Sequence, residues 1–108
     1  MNKPTILAVD DEKDMLTVLK NILKNNYNLL TAASGPEALK KLSDNNVDLV
    51  LLDLRLPKMD GLEILNKVKG LSADCEVVML SASKDLASAV EAMKLGASDY
   101  LSKPFRLD

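Results

Sequence analysis

Four apolar runs in this chain each give way to a residue that could do chemistry. Asp10 and Asp11 follow Ile6 to Val9, Asp53 follows Leu49 to Leu52, Ser81 follows Val77 to Leu80, and Lys103 comes shortly after Tyr100-Leu101. Carboxylates brought together repel one another, and burial sharpens the repulsion. A divalent cation relieves it. Carboxylate oxygens and waters, without nitrogen or sulfur, suit magnesium, with manganese as the alternative. A carboxylate can also be a nucleophile and form an aspartyl phosphate. A lysine and a hydroxyl would then supply a charge and a donor to the phosphoryl oxygens. The coherent assignment is two acids for the metal, Asp53 for the phosphoryl group, and Ser81 with Lys103 to hold the product. It requires that these ends converge.

The elements between them supply the reason to expect convergence. Thr5 to Val9 reads as a short strand, and Met15, Leu16, Leu19, Ile22 and Leu23 recur at helical spacing from about Asp14 to Lys24. Tyr27 to Ala32 is a second strand. Ser34-Gly35-Pro36-Glu37 has the form of a capping box and opens a helix with Ala38, Leu39 and Leu42 on its apolar face. Leu49 to Leu52 is a strand buried on both faces, left through Pro57 and the turn pair Asp60-Gly61. A third helix carries Leu62, Leu65 and Val68 and frays near Gly70. Glu76 to Ser81 is the fourth strand. The fourth helix is predicted from Asp85 to Leu95 with Leu86, Ala89, Val90 and Met93 inward and Gly96 past its end, before a short strand over Ser98 to Leu101. Strictly alternating apolar strands and helices predict an α/β fold, a doubly wound five-stranded parallel sheet with helices on both faces. Right-handed crossovers then bring the ends of strands one, three, four and five to one rim.

Composition narrows the classes further. At 108 residues, 47% hydrophobic and 28% charged, the chain is one ordinary globular domain, residues 1–108. Its net charge is −2 with basic and acidic side chains well mixed, which argues against direct nucleic-acid or polybasic membrane binding by this segment. No apolar run approaches a membrane span, and no signal peptide precedes the first strand, so a cytoplasmic protein is the expectation. A single cysteine, Cys75, and no histidine exclude an internal disulfide and disfavour a zinc site. Cys75 is expected to be a small loop or strand-edge residue without a redox role, and the Arg55 side chain and Met59 are expected at the surface. Taken singly, Asp10 and Asp11 read equally well as caps of the first helix, and Asp11 could do both jobs. Tyr100 alone reads as a half-buried strand residue.

Taken together, Val9-Asp10-Asp11-Glu12, the run Asp48 to Gly61 centred on Asp53, Leu80-Ser81-Ala82, Gly96 to Leu101 and Lys103-Pro104-Phe105 resemble the receiver domain of two-component response regulators over essentially the whole chain. The resemblance implies the flavodoxin-like strand order 2-1-3-4-5. It implies that Asp53 takes a phosphoryl group from a sensor histidine kinase, so that this is a signalling phosphoacceptor and not an enzyme acting on other substrates. Asp11, Asp53 and the backbone carbonyl of Arg55 would hold magnesium, with Asp10 acting mainly through water. Lys103 would pair with the phosphoryl group, with a cis bond before Pro104, and Ser81 and Tyr100 would form the coupled switch. The phosphorylated state would control an output domain or a downstream protein. The side chains of Arg55 and Ser83 would tune hydrolysis, and Arg55 lying over the phosphoryl oxygens predicts slow autodephosphorylation.

Two other classes fit less well. A phosphatase of the haloacid dehalogenase type needs a second acid two residues after the nucleophile, where this chain has Arg55, and it needs room for a cap. A flavin or dinucleotide binder would carry a glycine-rich loop after strand one, where this chain has acids. Where the family continues into a fifth helix, this chain ends at Asp108, which has the form of that helix's N-cap residue. A fifth helix missing from the chain would leave helix one alone on its face of the sheet, and the expectation is a homodimer through the apolar surface left bare.

Overall fold

The structure is a computed structural model that describes residues 3–56, 59–81 and 86–102, the Leu86 side chain excepted. Expectations that rest on Pro57, Ala82, Ser83, Asp85, Lys103, Pro104, Phe105 and Asp108 lie outside the described residues. Nine elements alternate: β1 (Thr5–Val9), α1 (Lys13–Leu23), β2 (Asn28–Ala32), α2 (Gly35–Asp44), β3 (Leu49–Asp53), α3 (Gly61–Leu71), β4 (Glu76–Ser81), α4 (Leu86–Lys94) and β5 (Asp99–Ser102). Every strand pairs in parallel, in the order β2-β1-β3-β4-β5. The chain therefore winds one way from β1 to β2 and the other way from β3 onward. With right-handed crossovers, α1 lies on one face and α2, α3 and α4 on the other.

Alternation along the strands records this division. Leu7, Val9, Val50, Leu52, Val77 and Met79 join residues of α2, α3 and α4 in one buried cluster. On the opposite face Ile6, Ala8 and Leu80 are buried outside that cluster, while Leu49, Leu51 and Val78 are half-buried. Leu19 is the fully buried residue of α1, while Ile22, expected on its apolar face, is 40% exposed.

Two helix ends are built much as their residues suggest. Ser34 Oγ accepts the Glu37 N–H at 3.3 Å, and the Glu37 carboxylate reaches back to the Ala33 N–H at 2.8 Å, one residue before the cap itself. Lys41 pairs with Glu37 at 3.4 Å and also donates to the Thr31 carbonyl. At the far end of α4, Gly96 N–H bonds to Met93 O at 3.2 Å and Ala97 N–H to Ala92 O at 3.0 Å, with Gly96 at φ 106°. That is the paired Schellman closure.

The inward face of α4 differs from expectation. Val90 and Met93 are each 48% exposed, whereas Ala92 is completely buried. Ala92 belongs to the core and Leu95 packs against it, Ala89 is half-buried, and the Leu86 side chain lies outside the described residues. Small side chains let the helix lie close to the sheet, so the largest apolar residues were the wrong guide. Helix α3 ends at Leu71, beside Gly70 as expected. Cys75 lies at the edge of β4, also as expected, but is a buried core residue, 2% exposed, and burial pushes its thiol pKa upward.

Candidate functional site

Asp53 is the last residue of β3, where the strand turns off the sheet. Its successor is held by the neighbouring strand, with Leu54 N–H donating to Leu80 O at 2.8 Å. Arg55 N–H then folds back onto Asp53 Oδ1 at 3.3 Å. The loop closes where Gly61 N–H meets Leu54 O at 3.0 Å. A Cβ on Gly61 would fall 2.6 to 2.7 Å from backbone atoms of Asp53 and Leu54. So Gly61 is not a turn residue, as its pairing with Asp60 suggests. It is the first residue of α3, glycine because the helix start presses directly on the end of β3. Asp60 caps that helix, its Oδ1 accepting Leu62 N–H at 2.8 Å.

The second acid-bearing loop follows β1. Asp10 N–H bonds to Ala32 O at the end of β2 at 3.0 Å, and Asp10 Oδ1 accepts Glu12 N–H at 3.0 Å. The N-cap position of α1 falls on Glu12, whose side chain makes no cap bond. The helix thus starts without using Asp10 or Asp11 as its cap. Carboxylate oxygens of Asp10, Asp11 and Asp53 all lie within 4.8 Å of one another. Asp10 is fully buried, Asp53 is 6% exposed, and Asp11 faces solvent. Two buried carboxylates and one exposed at that spacing fit a hard divalent ion that keeps waters on its open side. Soft-metal donors are not part of the cluster.

Ser81, 1% exposed, ends β4 one residue beyond Leu80, which is Asp53's partner in the register. Tyr100 lies on β5, half-buried and packed against the core, its hydroxyl buried and without a hydrogen-bond partner among the described residues. Arg55 is exposed, on an open depression of about 490 Å³ lined also by Leu54, Leu56, Met59 and Asp60. Met59, expected at the surface, is half-buried and lines that depression with one side only. It packs against the core, and a Cβ on Gly35 would come within 2.9 Å of its Sδ. The sequence signal for that contact was a glycine in the first turn of α2, a position where backbone entropy disfavours it. Lys103 and Ser83 lie outside the described residues.

With the geometry in hand, similarity to known proteins is informative. Residues 6–108 match the response regulator receiver domain. The chain is 41% identical over 106 residues to the alkaline phosphatase synthesis transcriptional regulatory protein PhoP of Bacillus subtilis, covering 97% of this chain and 44% of that protein. It spans less than half the length of the curated relatives it matches. Among solved structures, a CheY-like receiver domain protein from Methanospirillum hungatei superposes with a TM-score of 0.93 at 32% identity, over 97% of this chain and 85% of that one. A response regulator from Burkholderia pseudomallei, solved with a phosphorylated aspartic acid, a calcium ion and citrate, superposes with a TM-score of 0.90 at 28% identity, over 97% of this chain and 62% of that one.

Proposed function

The chain belongs to the response regulator receiver domain family of two-component systems, and from that premise we propose that Asp53 is its phosphoacceptor in a magnesium-dependent transfer. The observation that carries the reading is the meeting of Asp10, Asp11 and Asp53 within 4.8 Å at one rim of the sheet. The phosphorylated aspartate and calcium ion of the Burkholderia pseudomallei relative support it.

The donor is a phosphohistidine of a sensor histidine kinase. A carboxylate oxygen of Asp53 forms the new O–P bond as the P–N bond breaks, and the bonding pair leaves with the imidazole nitrogen. Magnesium, when bound, offsets the negative charge of the transferring group and orients its oxygens. Asp10, Asp11, Asp53 and the Arg55 backbone carbonyl are the groups that would hold it. The Ser81 hydroxyl donates to a phosphoryl oxygen, and Lys103 contributes its ammonium charge. Tyr100 couples to Ser81: the ring already packs against the core, and its buried hydroxyl, which has no partner among the described residues, has a hydrogen bond to gain. Arg55, exposed beside Asp53, shields the phosphoryl oxygens from water, which makes loss of the group slow. The signal passes to an output domain or a downstream protein. The setting is the cytoplasm, and among the described residues no helix is long and apolar enough to cross a membrane.

The test is intact-mass measurement after incubation with phosphoramidate and magnesium. One phosphoryl group should be gained on Asp53, and chelating the magnesium should stop the gain. Uptake that is indifferent to chelation, or that maps to another residue, defeats the reading.

A further inference from the structure

We propose that the junction between β2 and α2 positions the two acid-bearing loops, through Met59 seated on Gly35 in the first turn of α2 on one side and through the Ala32 carbonyl at the end of β2 on the other. Its bearing on magnesium rests on the function proposed above; the positioning itself does not. The loop from Leu54 to Asp60 is anchored at its two ends by main chain, at Leu54 N–H to Leu80 O and at Gly61 N–H to Leu54 O. Between those anchors, among the described residues, Leu56 and Met59 both pack against the core, and Met59 is the one that fills the space beside Gly35 of α2. It packs against the core cluster from a half-buried position.

The seat is unusually close. A Cβ at Gly35 would stand 2.9 Å from Met59 Sδ, 3.0 Å from Met59 Cβ and 2.9 Å from Ile64 Cδ1. Gly35 is buried, and the space a side chain would take there is filled by Met59 and by Ile64 of α3. The turn that carries Gly35 is itself held firmly. Ser34 and Glu37 bond across it, and Lys41 ties Glu37 to the Thr31 carbonyl. Just before that turn, Ala32 O accepts the N–H of Asp10. A single junction thus touches the loop of Asp10 and Asp11 by a hydrogen bond and the loop after Asp53 by a packed thioether. These two loops carry the three carboxylates that lie within 4.8 Å of one another, so a shift of either loop moves its carboxylates.

A merely space-filling Met59 would behave differently from a positioning one. Hydrogen exchange on the metal-free protein separates them, with the Gly61 amide reporting on the loop and the Leu7 amide on the sheet. Met59→Ala should speed exchange at Gly61 by about tenfold and leave Leu7 unchanged. The same variant should weaken magnesium binding by roughly threefold to tenfold in calorimetric titration. Met59→Leu, which keeps the volume, should restore both to within about twofold of wild type. Unchanged exchange at Gly61 in Met59→Ala, or a Met59→Leu as impaired as the alanine, overturns the proposal. A wild-type chain that does not titrate with magnesium overturns the metal reading instead, and the exchange data still decide the positioning.

Discussion

Strand β3 begins after one aspartate and ends in another, and the two have opposite surroundings. Asp48 is exposed and knits the sheet's amino edge: its Oδ2 accepts Thr5 N–H at 2.8 Å, its N–H donates to Thr5 O at 2.9 Å, and its carbonyl accepts Glu76 N–H at 3.1 Å. Asp53, a few residues on, is buried with two other carboxylates within 4.8 Å. The difference follows from strand polarity. Where parallel strands start, a neighbour's leading N–H is free to meet an acid. Where they end, the turn N–H groups of Glu12 and Arg55 each meet an oxygen of Asp10 and Asp53, yet three carboxylates still crowd within 4.8 Å, a repulsion that a cation would relieve. At one rim the acid joins neighbouring strands, and at the other the acids crowd one another.

The sharpest way to break that contrast is to neutralise each acid in turn. Asp53→Asn should abolish phosphoryl uptake, a loss of more than about a hundredfold. Asp48→Asn should leave the rate near wild type and lower stability by about 1 kcal/mol through a weakened bond to Thr5 N–H. Phosphoramidate labelling followed by urea unfolding of both variants reads the two effects side by side. Equal loss of labelling in the two would erase the distinction between the rims.

Metal linkage comes next in size. Because Asp10, Asp11 and Asp53 crowd one another, magnesium at about a hundred times its dissociation constant should add roughly 2.7 kcal/mol, with less effect at high salt. Asp11→Ala should melt higher than wild type without magnesium and gain little from it, since the substitution removes repulsion and a ligand together. Thermal melts with and without the ion check this. Magnesium stabilisation equal in the two proteins would remove Asp11 from the ligand set.

Glycines of α3 sharpen the comparison at a smaller scale. Gly61, at the carboxyl rim, has backbone of Asp53 and Leu54 where a Cβ would go, so Gly61→Ala should cost about 1 to 3 kcal/mol. Gly70, in the helix's last turn toward the amino rim, has nothing within 4 Å of that position. Gly70→Ala should therefore stabilise by about 0.5 to 1 kcal/mol, the helix-propensity gain. Denaturant midpoints of the pair test whether the crowding is confined to the site.

What could be read from the residues alone follows the same division. The strands were legible because buried parallel strands are apolar throughout, and β1 and β4 fall on the residues expected. The convergence of Asp10, Asp11 and Asp53 was legible because strand order and crossover handedness bring strand ends to one rim. Side-chain packing was less so. The inward stripe of α4 was misassigned because apolar size points to Val90 and Met93, while the helix actually docks through Ala92. Met59 and Gly61 were misjudged for a related reason: close approach between elements distant in sequence leaves only a glycine as its trace. Periodicity cannot say what fills the space that the glycine leaves.

Glu37 offers the smallest test, since it is an acid near the carboxyl rim that behaves like Asp48. Its carboxylate takes the Ala33 N–H and lies 3.4 Å from the Lys41 ammonium, and it stays well exposed. The Ala33 N–H, and after it Lys41, hold its pKa below the ordinary glutamate range despite the opposing cost of burial. A carboxyl whose pKa is lowered by folding stabilises the native state where it is ionised, above its unfolded value. That contribution is lost as the pH falls through the folded value, so it is present at neutral pH and gone in acid. Solvent screening limits it to a few tenths of a kcal/mol. Glu37→Gln keeps an acceptor for Ala33 N–H but loses the charge, so it should be slightly less stable than wild type at pH 7 and match it in acid. Urea midpoints across that range would show the two curves converging as the pH falls. Curves that stay parallel would mean that Glu37 serves the junction by its shape alone, and that its charge does not contribute to holding the turn beneath Met59.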